Sequence, residues 1–229
     1  MRGDNDNDDM ARDKDDSSDS LPAWKWTGAE ALDFVFALND RSLQVLKDLS
    51  TTASETFAAV TAYRDLWVRL DEAARRRAAR YPFLLLDLRF QSVKWWRELK
   101  SASSTDAKSA PPHESFPREA ARELCVEVLT LAWHTARSDP RTAALVLGVP
   151  PDVAGIIASL GPRDVQRIAL QQSHELRPRW NTNSSFWEQL LLTAITGNEA
   201  SLSDFHLQGL QLLGADQMSA SRSSDRSRD

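Results

Sequence analysis

The sequence predicts an all-α protein built in two helical parts joined by a Ser/Ala/Pro linker. Three observations carry this reading. Apolar residues recur at the three-to-four-residue spacing of a buried helix face through most of the chain. Glycine is scarce, 8 in 229 residues, which disfavours glycine-rich phosphate loops and folds made of many tight β-turns. The breaks Gly148, Pro150, Gly161, Pro178 and Gly197 fall between periodic runs, where helices stop.

Residues 1–20, MRGDNDNDDMARDKDDSSDS, hold eight Asp against three basic residues and show no apolar periodicity. They read as a disordered acidic tail, because nothing there offsets the entropy of ordering. Asp4, Asp6, Asp8 and Asp15 mimic part of a calcium loop, but Asp9 stands where that loop needs glycine. The tail accounts for the formal net charge of −5, so residues 21–229 are neutral and supply no global positive field.

From residue 21 to residue 100 the pattern is helical. Thr27 with Glu30 forms a capping-box arrangement ahead of Leu32, Val35, Leu38, Leu43, Leu46 and Leu49. A second long helix is predicted over 54–80, with Phe57, Val60, Tyr63, Leu66, Trp67 and Leu70 on one face. Its basic end, ARRRAAR, suits the helix dipole. YPFLLLDLRF reads as a strand or a helix segment; helix is preferred because no partner strand is evident elsewhere. Residues 101–116 have linker composition. A second helical part follows at 117–214, with helices predicted at 117–137, 140–147, 151–159, 162–175, 184–196 and 199–213. Residues 215–229 read as a disordered tail. No repeat at a fixed period is evident.

The chemistry is sparse. One cysteine, Cys125, excludes an intrachain disulfide, fits a reducing cytoplasm, and reads as a small buried apolar residue. No run approaches the length of a membrane span, and no apolar signal-peptide core is present. His113, His134, His174 and His206 lie far apart without a metal-binding spacing. No phosphate-loop, dinucleotide or nucleophile-elbow motif occurs. The expectation is a protein that is not an enzyme, with no catalytic residue, no cofactor, no metal and no small-molecule substrate.

The unusual residue is tryptophan, with eight copies. Trp residues anchor helix packing and also mark interfaces. Arg177, Arg179 and Trp180 form the best candidate for surface recognition. RTAALVLGVPPDVAGIIASLG, residues 141–161, has the layout of a helix-turn-helix, with small Ala144, a turn at Gly148, and Val153 and Ile157 on the second helix. Base reading also needs polar or basic side chains early on that second helix. Only Asp152 and Ser159 are there, so the pair reads as a helical hairpin core. Arg163, Arg167, Arg177 and Arg179 are the candidates for contact with a DNA backbone.

The run LTLAWHTARSDPRTAALVLGVPPDVAGIIASLGPRDVQRIALQQSHELRPRW resembles the FlhD family of flagellar transcriptional activators. Leu129, Ala132, Asp139, Ala143 and Leu147-Gly148 carry the first half of that pattern. Ala154, Leu160, Val165, Ile168, Ala169, Arg177, Arg179 and Trp180 carry the rest, and FWEQLL begins the last helical segment. The resemblance covers about residues 117–214. It departs at Leu176, where family members often carry a cysteine that links subunits, and in the first hundred residues, which have no family counterpart. It implies an all-α transcriptional regulator subunit that acts with a zinc-binding FlhC-like partner and reaches DNA through the complex. A helical adaptor without a nucleic-acid role is the alternative. The apolar circumference of the helix at 117–137 further predicts a homodimer through residues 117–147. Leu124, Val128, Leu131, Trp133 and Trp180 are the interface candidates.

Overall fold

The computed structural model describes residues 28–52, 57–101 and 116–225. The acidic tail, the Thr27 cap and most of the linker lie outside the described residues. The chain is all-α in class. Its helices are α1 (Gly28–Thr52), α2 (Ala58–Thr61), α3 (Arg64–Arg69), α4 (Glu72–Ala79), α5 (Val93–Ser101) and α6 (Arg118–Ser138). They continue as α7 (Pro140–Leu147), α8 (Pro151–Ala158), α9 (Pro162–Gln172), α10 (Ser184–Thr196) and α11 (Glu199–Asp225). Two short strands, β1 (Leu86–Asp87) and β2 (Arg177–Pro178), pair antiparallel.

Local chemistry explains most helix ends. Asp71 caps α4 by accepting from Ala74 N at 2.7 Å, and Asn183 caps α10 by accepting from Phe186 N at 3.2 Å. Asp139 accepts from Arg141 N at 2.9 Å, and Pro140 follows at the first helical position, where a missing N–H costs nothing. Gly148 and Gly197 close α7 and α10 in the left-handed conformation, with φ +63° and +69°.

Three expectations fail. The long helix expected over 54–80 is instead α2, α3 and α4. The breaks fold the chain back so that Trp67 is fully buried and its indole donates to Ala59 O at 3.1 Å. YPFLLLDLRF is not a helix, because its backbone groups find distant partners. Leu85 N donates to Asn39 Oδ1 at 2.8 Å and Leu84 N to Val146 O at 2.7 Å, while Asn39 Nδ2 donates to Phe83 O at 3.0 Å. The segment from residue 215 is helical as far as Asp225, as the continuation of α11. Gln217 ties it down by donating to Ala144 O at 2.7 Å.

The described residues before 102 and after 115 share one core. Trp67 of α3 meets Trp187 of α10 with ring centroids 5.9 Å apart, and Tyr81 donates to Phe205 O of α11 at 2.8 Å. Arg41 of α1 pairs with Glu123 and Glu127 of α6.

A repeat does exist, and it is structural. β1 at Leu86–Asp87 and β2 at Arg177–Pro178 lie 91 positions apart. The same offset relates Arg89 (φ +49°) to Trp180 (φ +50°), the two non-glycine residues with positive φ among those described. It relates the turn bond from Ser92 N to Arg89 O (2.9 Å) to that from Asn183 N to Trp180 O (2.8 Å). It relates the start of α5 at Val93 to that of α10 at Ser184, and fully buried Trp96 to fully buried Trp187. Each copy therefore runs from a long helix through short helices to a strand, a left-handed turn and an aromatic helix: α1 to α5, then α6 to α10.

The strand register has the symmetry of a self-paired dimer. Leu86 pairs with Pro178 and Asp87 with Arg177, so exchanging the copies maps each pair onto the other. The aromatic helices are exchanged as well: α5 packs on α8 of the second copy, and α10 packs mainly on α4, and also on α3, of the first. This supplies a counterpart for the first hundred residues within the chain itself.

Candidate functional site

The strand pair and the turns beside it form one wall of a cleft of about 650 Å³. The second copy contributes the run from His174 to Thr182, and the first copy reaches in with Asp87 and Gln91. Asp216 of α11 closes one side, accepting from Trp180 Nε1 at 2.7 Å. The left-handed turn at Trp180 sets its ring edge-on against Phe83 and Phe186, with centroids 5.7 and 4.6 Å away.

Charges around the cleft are mostly paired across the copies. Arg177 Nε meets Asp87 Oδ2 at 3.4 Å, and Arg89 Nε meets Glu175 Oε2 at 3.0 Å. Arg179 is different. It is 2% exposed, and its donors go to backbone carbonyls: Nε to Leu84 at 3.0 Å and Nη2 to Leu147 at 2.6 Å. Burial pushes its pKa down, while Asp87 and Asp216 pull it back up. Gln91 donates to Gly148 O at 2.6 Å. Gln91 Oε1 and His174 Nε2 are buried with no hydrogen-bond partner.

The residues singled out from the sequence divide sharply. Arg177, Arg179 and Trp180 do come together, at the cleft. As a surface contact for phosphate, however, Arg179 must be withdrawn, because its guanidinium is enclosed and occupied by carbonyls. Arg163 is exposed on α9, while Arg167 is half-buried and pairs with Asp164 at 3.2 Å; neither lines the cleft. The interface candidates Leu124, Val128 and Leu131 are at most 2% exposed, enclosed by α1, α7, α8 and α9 of the same chain. They offer no free surface to a second copy. Trp133 is half-buried, donates to Leu160 O at 2.8 Å and carries Arg137 over its ring at 5.0 Å. Cys125 is fully buried, and burial raises its thiol to about 12.

Sequence reasoning missed Asp87, Gln91, Glu175 and Asp216, and set His174 aside because it lacks a metal-binding spacing. The adjacent pair His174–Glu175 just before RPRW was the available signal, but its partners lie in the other copy.

α7 and α8 cross at 114°, within the range for a helix-turn-helix. The polar positions of α8, Asp152 and Ser159, stay exposed and meet α5 only at its edge. Arg97 pairs with Asp152 at 3.1 Å, and Lys100 donates to Ser159 Oγ at 2.8 Å. Among the described residues no single helix is long and apolar enough to cross a membrane. The bent α7–α8 pair qualifies by composition alone, and Val146, Leu147, Val153 and Ile157 are core residues. Among the described residues no three His, Cys, Asp or Glu side chains are grouped to hold a metal ion.

No family model, curated protein or solved structure matches this chain. The likeness to FlhD rests on the residues that carry it.

Proposed function

We propose that this chain is an FlhD-like regulator subunit in which one polypeptide takes the place of a two-subunit core, acting on transcription through an FlhC-like partner. The observation that carries the proposal is the pairing of the copies, with the register of a two-fold at β1–β2 and exchange of the aromatic helices. The FlhD resemblance lies in the second copy, and the first copy repeats its plan. α8 carries no basic side chain, which leaves base reading to the partner. Arg163 and Arg167 on α9, with Arg177 at the ribbon, remain the candidates for backbone contact, which positions a complex without reading sequence.

The test is a titration of a flagellar-type promoter and of random duplex with this chain, with an FlhC-like protein, and with both, at several salt concentrations. The expected result is weak or no binding by the chain alone and salt-sensitive binding by the pair. Arg163→Ala combined with Arg167→Ala should make the salt slope shallower by about one unit per lost contact. No binding in any combination removes the regulator reading.

One observation favours a second reading, a helical adaptor without a nucleic-acid role. Of the four arginines named for DNA, Arg179 is buried, and Arg167 and Arg177 have carboxylate partners.

A further inference from the structure

Three arginines from three separate elements gather at one corner of the second copy. Arg137 lies in the last turn of α6, Arg141 in the first turn of α7 and Arg163 in the first turn of α9, and all three are exposed. Trp133 ties these elements together: its indole donates to Leu160 O, in the turn before α9, at 2.8 Å. The guanidinium of Arg137 lies over that same ring, 5.0 Å from its centroid. Asp139 alone separates α6 from α7, so Arg141 stands at the same corner.

None of the three arginines forms an ion pair among the described residues. That sets them apart from Arg41, Arg89, Arg97 and Arg177, each of which meets a carboxylate of the other copy. The carboxylates nearest to them in sequence are engaged at helix starts. Asp139 accepts from Arg141 N at 2.9 Å and from Thr142 Oγ1 at 2.7 Å. Asp164 accepts from Gly161 N at 3.3 Å and from Arg167 Nη2 at 3.2 Å. The charge of Arg137 is felt next door at His134, whose pKa is lowered first by burial and then by that arginine.

Local stability does not account for Arg141 and Arg163. Each directly follows the proline that opens its helix, where a cation opposes the helix dipole. Residues 21–229 are neutral overall, so three unpaired cations at one corner are a local concentration of charge. None of them lines the cleft. A small anion is held by donors that converge on it, whereas exposed cations on separate helix ends suit a polyanion whose charge repeats along its length.

We infer that the corner formed by Arg137, Arg141 and Arg163 carries a nucleic-acid phosphate backbone across the second copy. This rests on the regulator reading and extends it, because Arg137 and Arg141 add α6 and α7 to the contact already assigned to α9. Contacts to phosphate position the complex and do not read bases.

The experiment is titration of promoter and random duplex by this chain with an FlhC-like protein at several salt concentrations, repeated with variants. Arg137→Gln with Arg141→Gln removes two charges, Arg137→Lys with Arg141→Lys keeps them, and Arg76→Gln on α4 is the control. The Gln pair should weaken both duplexes alike, by about tenfold or more, and make the salt slope shallower by about two units. The Lys pair should keep the parent slope, and the control should bind as the parent does. The inference is overturned, with the regulator reading intact, if the parent binds and the Gln pair keeps its slope, or if only promoter binding falls. It is overturned too if the Gln pair loses the FlhC-like protein in light scattering, because the corner is then a protein contact. If the parent binds no duplex, both readings fall. Should the Gln pair fail to fold, Arg141→Gln alone decides: a slope shallower by about one unit supports the inference, and an unchanged slope overturns it.

Discussion

Arg179 donates to the carbonyl of Leu84 at 3.0 Å across 95 positions of sequence, joining the second copy to the first inside the core. Its Nη2 reaches both Leu86 O at 3.5 Å and Leu147 O at 2.6 Å, so one side chain serves three backbone carbonyls. Arg177, two residues earlier, is half exposed and pairs only with Asp87.

These neighbouring arginines should respond to mutation in opposite ways. Arg179→Met leaves buried carbonyls without donors, at about 1–3 kcal/mol for each group orphaned. Arg177→Ala removes a solvent-screened pair and should cost less than about 1 kcal/mol. Urea denaturation of both variants is the measurement, and equal losses would refute the assignment of Arg179 to the core. Any loss of binding in an Arg179 variant must therefore be read against its stability.

Gly148 and Gly197 share a left-handed backbone but differ in surroundings. A Cβ at Gly148 would lie 2.6 Å from Leu213 Cδ1 and 2.9 Å from Arg179 Nη1, whereas at Gly197 the nearest atom is Arg77 Cζ at 3.6 Å. Gly197→Ala should show backbone strain alone, on the order of 1 kcal/mol. Gly148→Val should exceed it, with strain of about 1–3 kcal/mol and displacement of Leu213 in addition. Thermal unfolding ranks the two, and a Gly148 variant as stable as the parent would contradict its turn geometry.

His206 packs edge-on to Tyr81 with centroids 4.5 Å apart, its Nε2 buried without a partner. Burial lowers its pKa; His134 is lowered too, by burial first and then by Arg137. In the unfolded chain both titrate near an ordinary value of about 6.5. The unfolded state therefore takes up protons first, and their contribution, complete above that pH, is lost as pH falls through the lower folded values. The melting temperature should drop between pH 7 and pH 5.5, and His206→Phe should reduce the drop. An unchanged pH dependence in the variant would show that His206 does not contribute.

The apolar faces of α6 are covered within the chain, so light scattering at micromolar concentration should return the mass of one chain. A dimer would place an interface on other residues than Leu124, Val128 and Leu131, and would weaken the view that the two copies already complete the assembly.

Most helices and their limits were legible in the residues alone, because those signals are local. Asp139-Pro140 starts α7, Gly148 ends it, Asn183 starts α10 and Gly197 ends it, each through bonds or backbone freedom within a few residues. Apolar spacing likewise placed Leu124 and Val128 on inward faces. The cover was expected from a second copy, and it comes instead from α1, α7, α8 and α9 of the same chain.

The ribbon and the cleft depend on contacts between residues far apart in the chain. YPFLLLDLRF is as apolar as a buried helix, and Asn39, Val146, Arg179 and the paired strand β2, all remote in sequence, hold its backbone extended. Arg179 reads as a surface cation until those carbonyls enclose it. The repeat escaped notice because it is conserved in backbone geometry, at Arg89 and Trp180, while most matching side chains differ. Where a group's partner lies 46 or 95 positions away, as for Leu85 with Asn39 and Arg179 with Leu84, no local pattern encodes the outcome. It follows from satisfying every buried polar group at once.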